Sequence, residues 1–275
     1  MKMNYINDDF LNFIKLDCSR KDFIQGWLLK NNVSSNVISL ESKSHILIQF
    51  DKKFYNPKYR FKTVLAHYDR VENSEGANDN SVAVWLLMNW AVALSRMNQV
   101  HNVRIIFTDG EELGKNHGVK ELGSYSLAQT FKRLGFVNDD VIIFDCVGRG
   151  SVPLLSENKI PSGVNKKYIE KQSSLQNRMK EILNASCGPN WFACPLPYSD
   201  NASFTACGFP SSLITFLPQD EAAAYFNDNS FVPLTWKLIN SEKDCVSTLT
   251  QESFFVMEKI LFSIQSALFP ALSHF

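Results

Sequence analysis

The chain has 275 residues, of which 45% are hydrophobic and 20% are charged, proportions typical of a globular protein with a well-packed core. Its 28 lysines and arginines balance its 28 aspartates and glutamates, so no excess charge favours nucleic acid or an anionic membrane as a partner. No stretch approaches the roughly 20 consecutive apolar residues of a transmembrane helix, which argues against a membrane protein.

Cysteine usage and the N-terminal segment indicate a cytoplasmic location. Asp8 and Asp9 fall where a signal peptide would need an apolar run, so we expect no secretion by that route. Six cysteines in such a chain are expected to be reduced thiols, with Cys187 and Cys194 the pair best placed for oxidation.

The spacing of apolar residues predicts alternating helices and strands. In chain order, it predicts a helical segment over 7–31 interrupted near Cys18, strands over 36–40, 44–50 and 62–69, a helix over 81–97, strands over 103–110 and 140–148, a helix over 167–185, a strand over 211–216 and a helix over 250–268. Residues 148–166 and 218–235 are predicted to be long surface loops.

Two of these runs, 103–107 and 141–144, are almost continuously apolar, which is typical of strands buried on both faces. Alternation with helices then predicts a three-layer α/β/α sandwich around a mixed, largely parallel central sheet. We see no repeat and no low-complexity linker. The prediction is therefore a single domain over 1–275, with the helical segment 1–35 packed on it.

Polar residues with metal-binding chemistry follow three of the predicted strands. His67 and Asp69 end one strand, Glu111 and Glu112 follow the next, and Asp145 ends the third. Ligand sites in this architecture lie beyond the carboxyl ends of the strands, so these side chains should converge there. Several buried carboxylates repel one another unless a cation neutralises them. Nitrogen and oxygen ligands without thiolates suit zinc, manganese or cobalt, and an abundance of carboxylates suits two cations.

Each of these residues also has an ordinary structural interpretation. A single histidine at a strand end is usually hydrogen-bonded within the fold, and a Glu-Glu pair commonly begins a helix. The Asp79-Asn-Ser stretch after Gly-Ala is common turn and cap chemistry, and Asp145 alone could be solvated. The occurrence of all of them, in this order and at these separations, favours a shared site.

Five stretches, in order, resemble the signatures of metallopeptidase family 28, which contains di-zinc aminopeptidases and glutaminyl cyclases. They are "AHYDRV", "GANDNS", "FTDGEELG", "VIIFDCVG" and "YSDNASFTACGFPSSLIT", and the resemblance runs from about residue 62 to residue 250. Together the stretches are specific, although each alone would be weak.

The resemblance implies a set of metal ligands. Asp79 would bridge two cations, His67 and Asp145 would complete one site, and Glu112 would serve the other. The cofactor would be zinc, as one or two ions. The implied activity is that of a metal-dependent exopeptidase, an aminopeptidase that cleaves the N-terminal peptide bond of small peptides by means of activated water.

The resemblance also implies catalytic and substrate-binding roles. Glu111 would be the general base, and Asp69 would hydrogen-bond the far nitrogen of the ligand histidine. Tyr198, Asp200 and Asn201 would lie on the substrate side of the site, although Asn201 replaces a commoner histidine, which puts substrate orientation in doubt. A non-proline cis peptide bond is expected directly after the bridging aspartate.

One expected ligand is missing. The family places a histidine before its last helix, in a His-Thr-x-x-Asp setting, whereas this chain reads "LINSEKDCVSTLT", with Asn240 at that position and Asp244 four residues later. An amide oxygen is a poorer zinc ligand than imidazole and suits harder cations. We therefore expect the site that contains Glu112 to be weak, to hold another cation such as manganese or cobalt, or to be empty.

Four other histidines are candidates to replace the missing ligand. His117 follows the glutamate pair by five residues and is the best placed of them. His101 precedes a strand at its wrong end, His45 lies inside an early strand, and His274 belongs to the C-terminal tail.

Two other functions stay open besides the aminopeptidase. A degenerate relative with one cation could act as a binding protein, but it would have no use for Glu111. A glutaminyl cyclase would use the equivalents of Asp79, Glu112 and the missing histidine, which makes that activity less favoured. Phe192, Tyr198, Phe204 and Phe209 are either an apolar substrate pocket or part of the core. The sequence does not indicate an oligomeric state.

Overall fold

A single eight-stranded sheet organises the fold. The computed structural model describes residues 5–114, 117–136, 139–157 and 165–271. Its strands are β1 (Asn36–Leu40), β2 (Lys43–Ile48), β3 (Phe61–His67), β4 (Val103–Thr108), β5 (Asp139–Phe144), β6 (Val152–Ser156), β7 (Phe192–Cys194) and β8 (Ser211–Leu217). They lie in the order β1-β2-β4-β3-β5-β8-β6-β7. The central strands β4, β3, β5 and β8 are parallel, whereas β1, β2 and β6 pair with a neighbour in antiparallel fashion.

Helices cover both faces of this sheet. They are α1 (Asp8–Ile14), α2 (Arg20–Lys30), α3 (Val82–Ser95), α4 (Gly123–Arg133), α5 (Lys166–Cys187), α6 (Asn201–Ala206), α7 (Gln219–Asn227), α8 (Leu234–Leu238) and α9 (Gln251–Ser266). Helices α1, α2, α3, α5 and α9 contribute to the core on one face, and α4, α6 and α7 contribute to the core on the other.

Alternation along the strands explains the two cores. In β5, Ile142 and Phe144 face one core, and Val141 and Ile143 face the other. Successive strand side chains point to opposite faces, so a run of apolar residues buries both sides of the sheet. The predicted three-layer α/β/α class with a mixed, largely parallel sheet is confirmed. Phe10 and Phe13 of α1 belong to the same core as the sheet, which is where the predicted N-terminal helical segment lies.

The two predicted long loops were wrong in part. Residues 148–166 include the buried strand β6, and residues 218–235 include helix α7. Strand β6 has five residues and contains Pro153, so it is too short and too unusual to show a strand pattern. Helix α7 buries just Glu221, Ala222 and Tyr225, which leaves little apolar periodicity to recognise. Part of the first loop, 158–164, lies outside the described residues.

Two further expectations concern the whole chain. None of the described helices is both long and apolar enough to cross a membrane. All six cysteines fall within the described ranges and are free thiols, as predicted; Cys187 and Cys194 are therefore unpaired.

Parallel register brings the predicted site residues to one edge of the sheet. His67 is the last residue of β3 and pairs with Thr108, the last residue of β4. Asp145 directly follows β5, and its backbone N–H donates to the carbonyl of Ile214 in β8. The connections that leave these strands therefore begin side by side, as expected at the carboxyl edge of a parallel sheet.

Candidate metal centre

His67, Asp79 and Asp145 form a compact, buried cluster at this edge. The Nε2 atom of His67 lies 3.1 Å from Asp79 Oδ1 and 3.5 Å from Asp145 Oδ1. One potential ligand atom from each of the three residues lies within 4.8 Å of the others, close enough to share one cation. The structure thus brings together the three residues that the sequence assigns to one site.

Asp244 holds the connection that carries Asp79 in place. The two carboxylate oxygens of Asp244 accept hydrogen bonds from the backbone N–H groups of Asn78, at 2.8 Å, and Asp79, at 2.9 Å. Asp244 is 1% exposed, and burial raises its pKa to about 6. The cis peptide bond expected after Asp79 is confirmed between Asp79 and Asn80.

Gly76 makes the tight turn before Asp79 possible. Its φ of +53° lies in the left-handed region, and a Cβ atom there would lie 2.6 Å from the carbonyl oxygen of Asp79. Glycine avoids both the steric clash and the conformational cost. Glycine at position 76 is therefore required by the backbone that presents the ligand.

Arg20, the first residue of α2, also supports this connection, a role that sequence reasoning missed. It is 5% exposed and donates hydrogen bonds to the carbonyls of Tyr68, at 2.9 Å, and Glu75, at 2.6 Å, and to the hydroxyl of Ser81. The N-terminal helical segment therefore fixes both ends of the loop between β3 and α3. A lone arginine in a helix carries no sequence signal for such a role.

Asp69 contacts both halves of the centre. Its Oδ1 lies 3.6 Å from His67 Nδ1, which is longer than a hydrogen bond, while its backbone oxygen lies 3.3 Å from the same nitrogen. Its Oδ2 accepts a hydrogen bond of 2.9 Å from the backbone N–H of Glu112. Asp69 therefore lies where it can orient the imidazole and fix the position of Glu112.

Glu111 and Glu112 enter from the connection after β4. Together with His67 they form a second group of atoms that lie within 4.8 Å of one another. Glu111 also lines the open cleft above the cluster, beside Asp79 and Asp145. The pair thus shares the imidazole of His67 with the other two carboxylates, and it provides the residues that the resemblance assigns to the base and the second cation site.

Asn240 stands against Glu112. With its amide oriented so that the NH₂ group faces the carboxylate, its nitrogen lies 2.7 Å from both Oε1 and Oε2 of Glu112. This orientation is assigned from hydrogen bonding, because the opposite one would set the amide oxygen against carboxylate oxygens. The structure therefore places Asn240 in the centre, as a donor to Glu112.

Protonation reflects the crowding of carboxylates. Burial, reinforced by the charge of Asp145, raises the pKa of Asp79, and burial raises the pKa of Glu111 well above its ordinary value. Burial and the charge of Asp79 raise the pKa of Glu112 to about 9. Burial alone would lower the pKa of His67, but the carboxylate of Asp145 raises it well above the ordinary value. The pKa values of Asp145 and Asp69 are lowered by His67, so protonation of the cluster falls on His67, Asp79, Glu111 and Glu112.

Unpartnered atoms show that a cation fits the first cluster. His67 Nε2 and Asp145 Oδ1 are buried and have no hydrogen-bond partner among the described residues. Buried polar atoms are normally satisfied, and a nitrogen and carboxylate oxygens are ligands that zinc accepts. His67, Asp79 and Asp145 therefore suit a divalent cation.

The predicted substrate-side residues differ in position. Tyr198 is 65% exposed and lines the cleft. Asp200 is buried and accepts a hydrogen bond from the hydroxyl of Thr108. The Oδ1 atom of Asn201 accepts a hydrogen bond of 2.9 Å from the backbone N–H of Ser199. Among the three, just Tyr198 faces the open cleft, whereas Asp200 and Asn201 contact neighbouring parts of the fold.

The other histidines lie away from the cluster wherever the structure describes them. His45 is buried and accepts a hydrogen bond from the backbone of Asp109, and His101 packs among Phe50 and Phe54. His117 is exposed, and neither candidate cation group among the described residues includes it. His274 lies outside the described residues.

A cleft of about 450 Å³ opens above the cluster. Its apolar wall consists of side chains that the sequence did not single out, which are Leu213, Tyr225, Phe231, Val232, Trp236 and Ile239. Of the aromatic set proposed from the sequence, Phe204 and Phe209 pack in the core with Phe131. The wall comes mainly from the 218–239 region. Its helices bury few apolar residues, so the sequence pattern did not reveal this wall.

Known proteins resemble this chain in fold. It superimposes on a glutaminyl cyclase from Porphyromonas gingivalis with a TM-score of 0.68 at 14% identity, covering 96% of this chain and 99% of that one. For the LapA aminopeptidase of Legionella pneumophila the TM-score is 0.63 at 15% identity, covering 92% of this chain and 62% of that one. For BSAP, a zinc aminopeptidase from Bacillus subtilis, the TM-score is 0.53 at 17% identity, and the match covers 81% of this chain and 49% of that one.

The chain thus spans less than two thirds of these two aminopeptidases but nearly all of the cyclase. A search among curated proteins gives no match. The model of peptidase family M28 matches residues 56–239, which is more than half of the 275 residues. With its fold, its ligand cluster and this match, the chain belongs to peptidase family M28.

Proposed function

We propose that the protein is a metal-dependent exopeptidase, an aminopeptidase that hydrolyses the N-terminal peptide bond of small peptides. The observation that carries this proposal is the position of Glu111, which lines the cleft beside Asp79 and Asp145 while His67 completes the cluster behind them. A carboxylate next to a cation site, and open to substrate, is the arrangement that metal-assisted hydrolysis requires.

His67, Asp79 and Asp145 would hold the cation, with zinc the first choice. When bound there, it supplies Lewis acidity, which lowers the pKa of a coordinated water and polarises the scissile carbonyl. Glu111 accepts the water proton at its carboxylate and then delivers that proton to the leaving amine. Burial favours the protonated form of Glu111, which suits the second half of this transfer.

The cleft favours the amino end of a peptide over the carboxyl end. Asp79, Glu111 and Asp145 line it, and no lysine or arginine does so among the described residues. The cation would offset the charges of Asp79 and Asp145, which leaves Glu111 to attract a terminal ammonium, while no basic side chain of the lining is there to pair with a terminal carboxylate. The aromatic and aliphatic wall offers space for an apolar side chain, so leucyl and phenylalanyl substrates are the first to test.

The test is hydrolysis of leucyl and phenylalanyl anilides with added zinc, manganese or cobalt, compared with a Glu111→Gln variant. We expect the variant to lose about 10²–10⁴-fold in kcat, because the proton acceptor is gone, while it still binds the cation. Glu72→Gln, at an exposed position, is the matched control and should keep the wild-type rate. An unchanged rate in Glu111→Gln would refute the proposed role of Glu111.

A glutaminyl cyclase is the second candidate, favoured by the near-complete coverage of the Porphyromonas gingivalis enzyme. The contact between Glu112 and Asn240 weighs against it, because the resemblance assigns the single zinc of cyclases to the half of the centre that contains Glu112. Glutaminyl anilide separates the two activities. An aminopeptidase releases the aniline, whereas a cyclase releases ammonia and leaves the anilide bond intact.

If the cation binds but no amide substrate is turned over, both enzymatic proposals fail. A binding protein with one cation would then be the better interpretation. Retention of Glu111 at the cleft argues against that outcome, since binding alone does not require a base there.

A further inference from the structure

We infer that the Asn240 amide takes the place of a second cation, so that the protein binds one zinc ion where its family resemblance implies two. This inference rests on the proposed function solely for the cation at His67, Asp79 and Asp145. It concerns the other half of the centre, where Glu112 and Asn240 meet. Its test counts bound zinc and does not depend on turnover.

Asn240 and Glu112 are in direct contact. The Asn240 nitrogen lies 2.7 Å from both carboxylate oxygens of Glu112, so the NH₂ group is directed at the acceptor atoms that a cation would need. The two carboxylate oxygens lie too close together to receive both hydrogens of one NH₂ group, so one N–H is shared between Oε1 and Oε2. Glu112 therefore receives a hydrogen bond from the protein itself.

Glu112 is held in this position by a hydrogen bond from its backbone. Its N–H donates to Asp69 Oδ2 at 2.9 Å, and Asp69 in turn lies beside His67. Asn240 has a φ of +58°, a left-handed conformation that asparagine tolerates better than most residues. The contact between Glu112 and Asn240 thus joins the loop after β4 to the segment after α8.

The two halves of the centre differ in how their polar atoms are paired. His67 Nε2 and Asp145 Oδ1 are buried without partners, whereas Asn240 and Glu112 satisfy each other. Zinc at Glu112 would have to break this hydrogen bond and accept an amide oxygen in place of an imidazole. An amide oxygen is a weak zinc ligand, so this exchange is unfavourable.

The experiment measures zinc stoichiometry by native mass spectrometry and by metal analysis after dialysis. We expect one equivalent for the wild type and two for Asn240→His, because imidazole adds a strong ligand beside Glu112 and Asp79. Asn240→Ala should stay at one equivalent, since it removes the donor without adding a ligand. Circular dichroism would show that each variant is folded.

Asn229→His is the matched control. Asn229 lines the same cleft and is exposed, so a histidine there adds an imidazole without placing it against Glu112. We expect it to leave the stoichiometry at one. Two zinc equivalents in the wild type would overturn the inference, and so would a count of one in folded Asn240→His.

These outcomes are distinct from failure of the proposed function. A protein that binds one zinc but hydrolyses no anilide would sustain this inference and refute the aminopeptidase. An active aminopeptidase with two bound zinc ions would do the reverse.

Discussion

The two ends of strand β5 carry the same residue type and do opposite things. At its start, Asp140 accepts hydrogen bonds from Arg60, at 2.7 Å, and from Arg178, at 2.6 and 2.7 Å, while Asp139 accepts from Arg104 at 2.6 Å. At its end, Asp145 Oδ1 has no hydrogen-bond partner among the described residues and faces His67 and Asp79.

The difference shows how a buried carboxylate acquires its role. Where arginines neutralise it, it joins neighbouring elements, and its removal leaves uncompensated positive charge. Where an imidazole and another carboxylate surround it and its Oδ1 receives no hydrogen bond, it remains available to a cation. We therefore expect the same substitution to act on zinc affinity at one end of the strand and on stability at the other.

The largest effect is expected for Asp145→Asn. Residues that merely support metal ligands typically change affinity by about 10–100-fold, so loss of a direct ligand should weaken zinc binding by more than about 100-fold and abolish hydrolysis. Zinc titration calorimetry and anilide hydrolysis measure the two effects, and unaltered zinc affinity would remove Asp145 from the ligand set.

Asp140→Asn, at the other end of the same strand, should show the reverse pattern. We expect a loss of about 3 kcal/mol in the free energy of unfolding, the lower end of the range for a buried pair, because Arg178 is 16% exposed while Asp140 is 3% exposed. Zinc affinity should stay at the wild-type value. Urea denaturation and the same titration provide the comparison; weaker zinc binding in a folded variant would show that the two ends are coupled.

Asp69→Asn should have a smaller effect, confined to the site. The variant retains an oxygen that can accept the Glu112 N–H but loses the negative charge beside His67. Zinc affinity should fall by about 10-fold, the lower limit for a residue that orients a ligand. A stability loss comparable to that of Asp140→Asn, with zinc binding intact, would instead place Asp69 with the structural carboxylates.

The smallest effect concerns the pH dependence of stability at the amino end of β3. Lys62 is 1% exposed, and its Nζ donates to the carbonyls of Ile264, Gln265 and Ala267 at the end of α9. Burial lowers its pKa from 10.5 to about 7. Between these values the native state binds fewer protons than the unfolded chain, so this group makes the free energy of unfolding rise with pH from about 7 to 10.5.

Replacing the buried lysine should flatten that rise. Urea denaturation from pH 6.5 to 9.5, values chosen to span part of this window, would compare Lys62→Met with Lys58→Met, whose side chain is exposed. We expect the positive slope to decrease in Lys62→Met alone. Equal slopes in the two variants would mean that Lys62 keeps its proton in the folded protein.

Part of the site was predictable because it depends on residue type and order. The strand ends at His67 and Asp145, the connection containing Asp79 and the pair Glu111-Glu112 were all identified from the sequence, and the structure brings them together. The region 218–239 supplies much of the cleft wall, and its helices α7 and α8 escaped prediction because few of their residues are buried. Apolar periodicity reports burial, so it reports little for elements that lie at a rim.

The sequence by itself determined the architecture and the chemistry of the centre: apolar runs dictated a sheet buried on both faces, and the motif order indicated which carboxylates could serve a cation. Tertiary structure alone decided how each charge is neutralised. Asp140 meets arginines, Asp145 meets an imidazole and another carboxylate, and Glu112 meets the amide of Asn240. The physical reason is that burial depends on a residue's place in its own element, whereas charge pairing depends on which distant elements pack beside it.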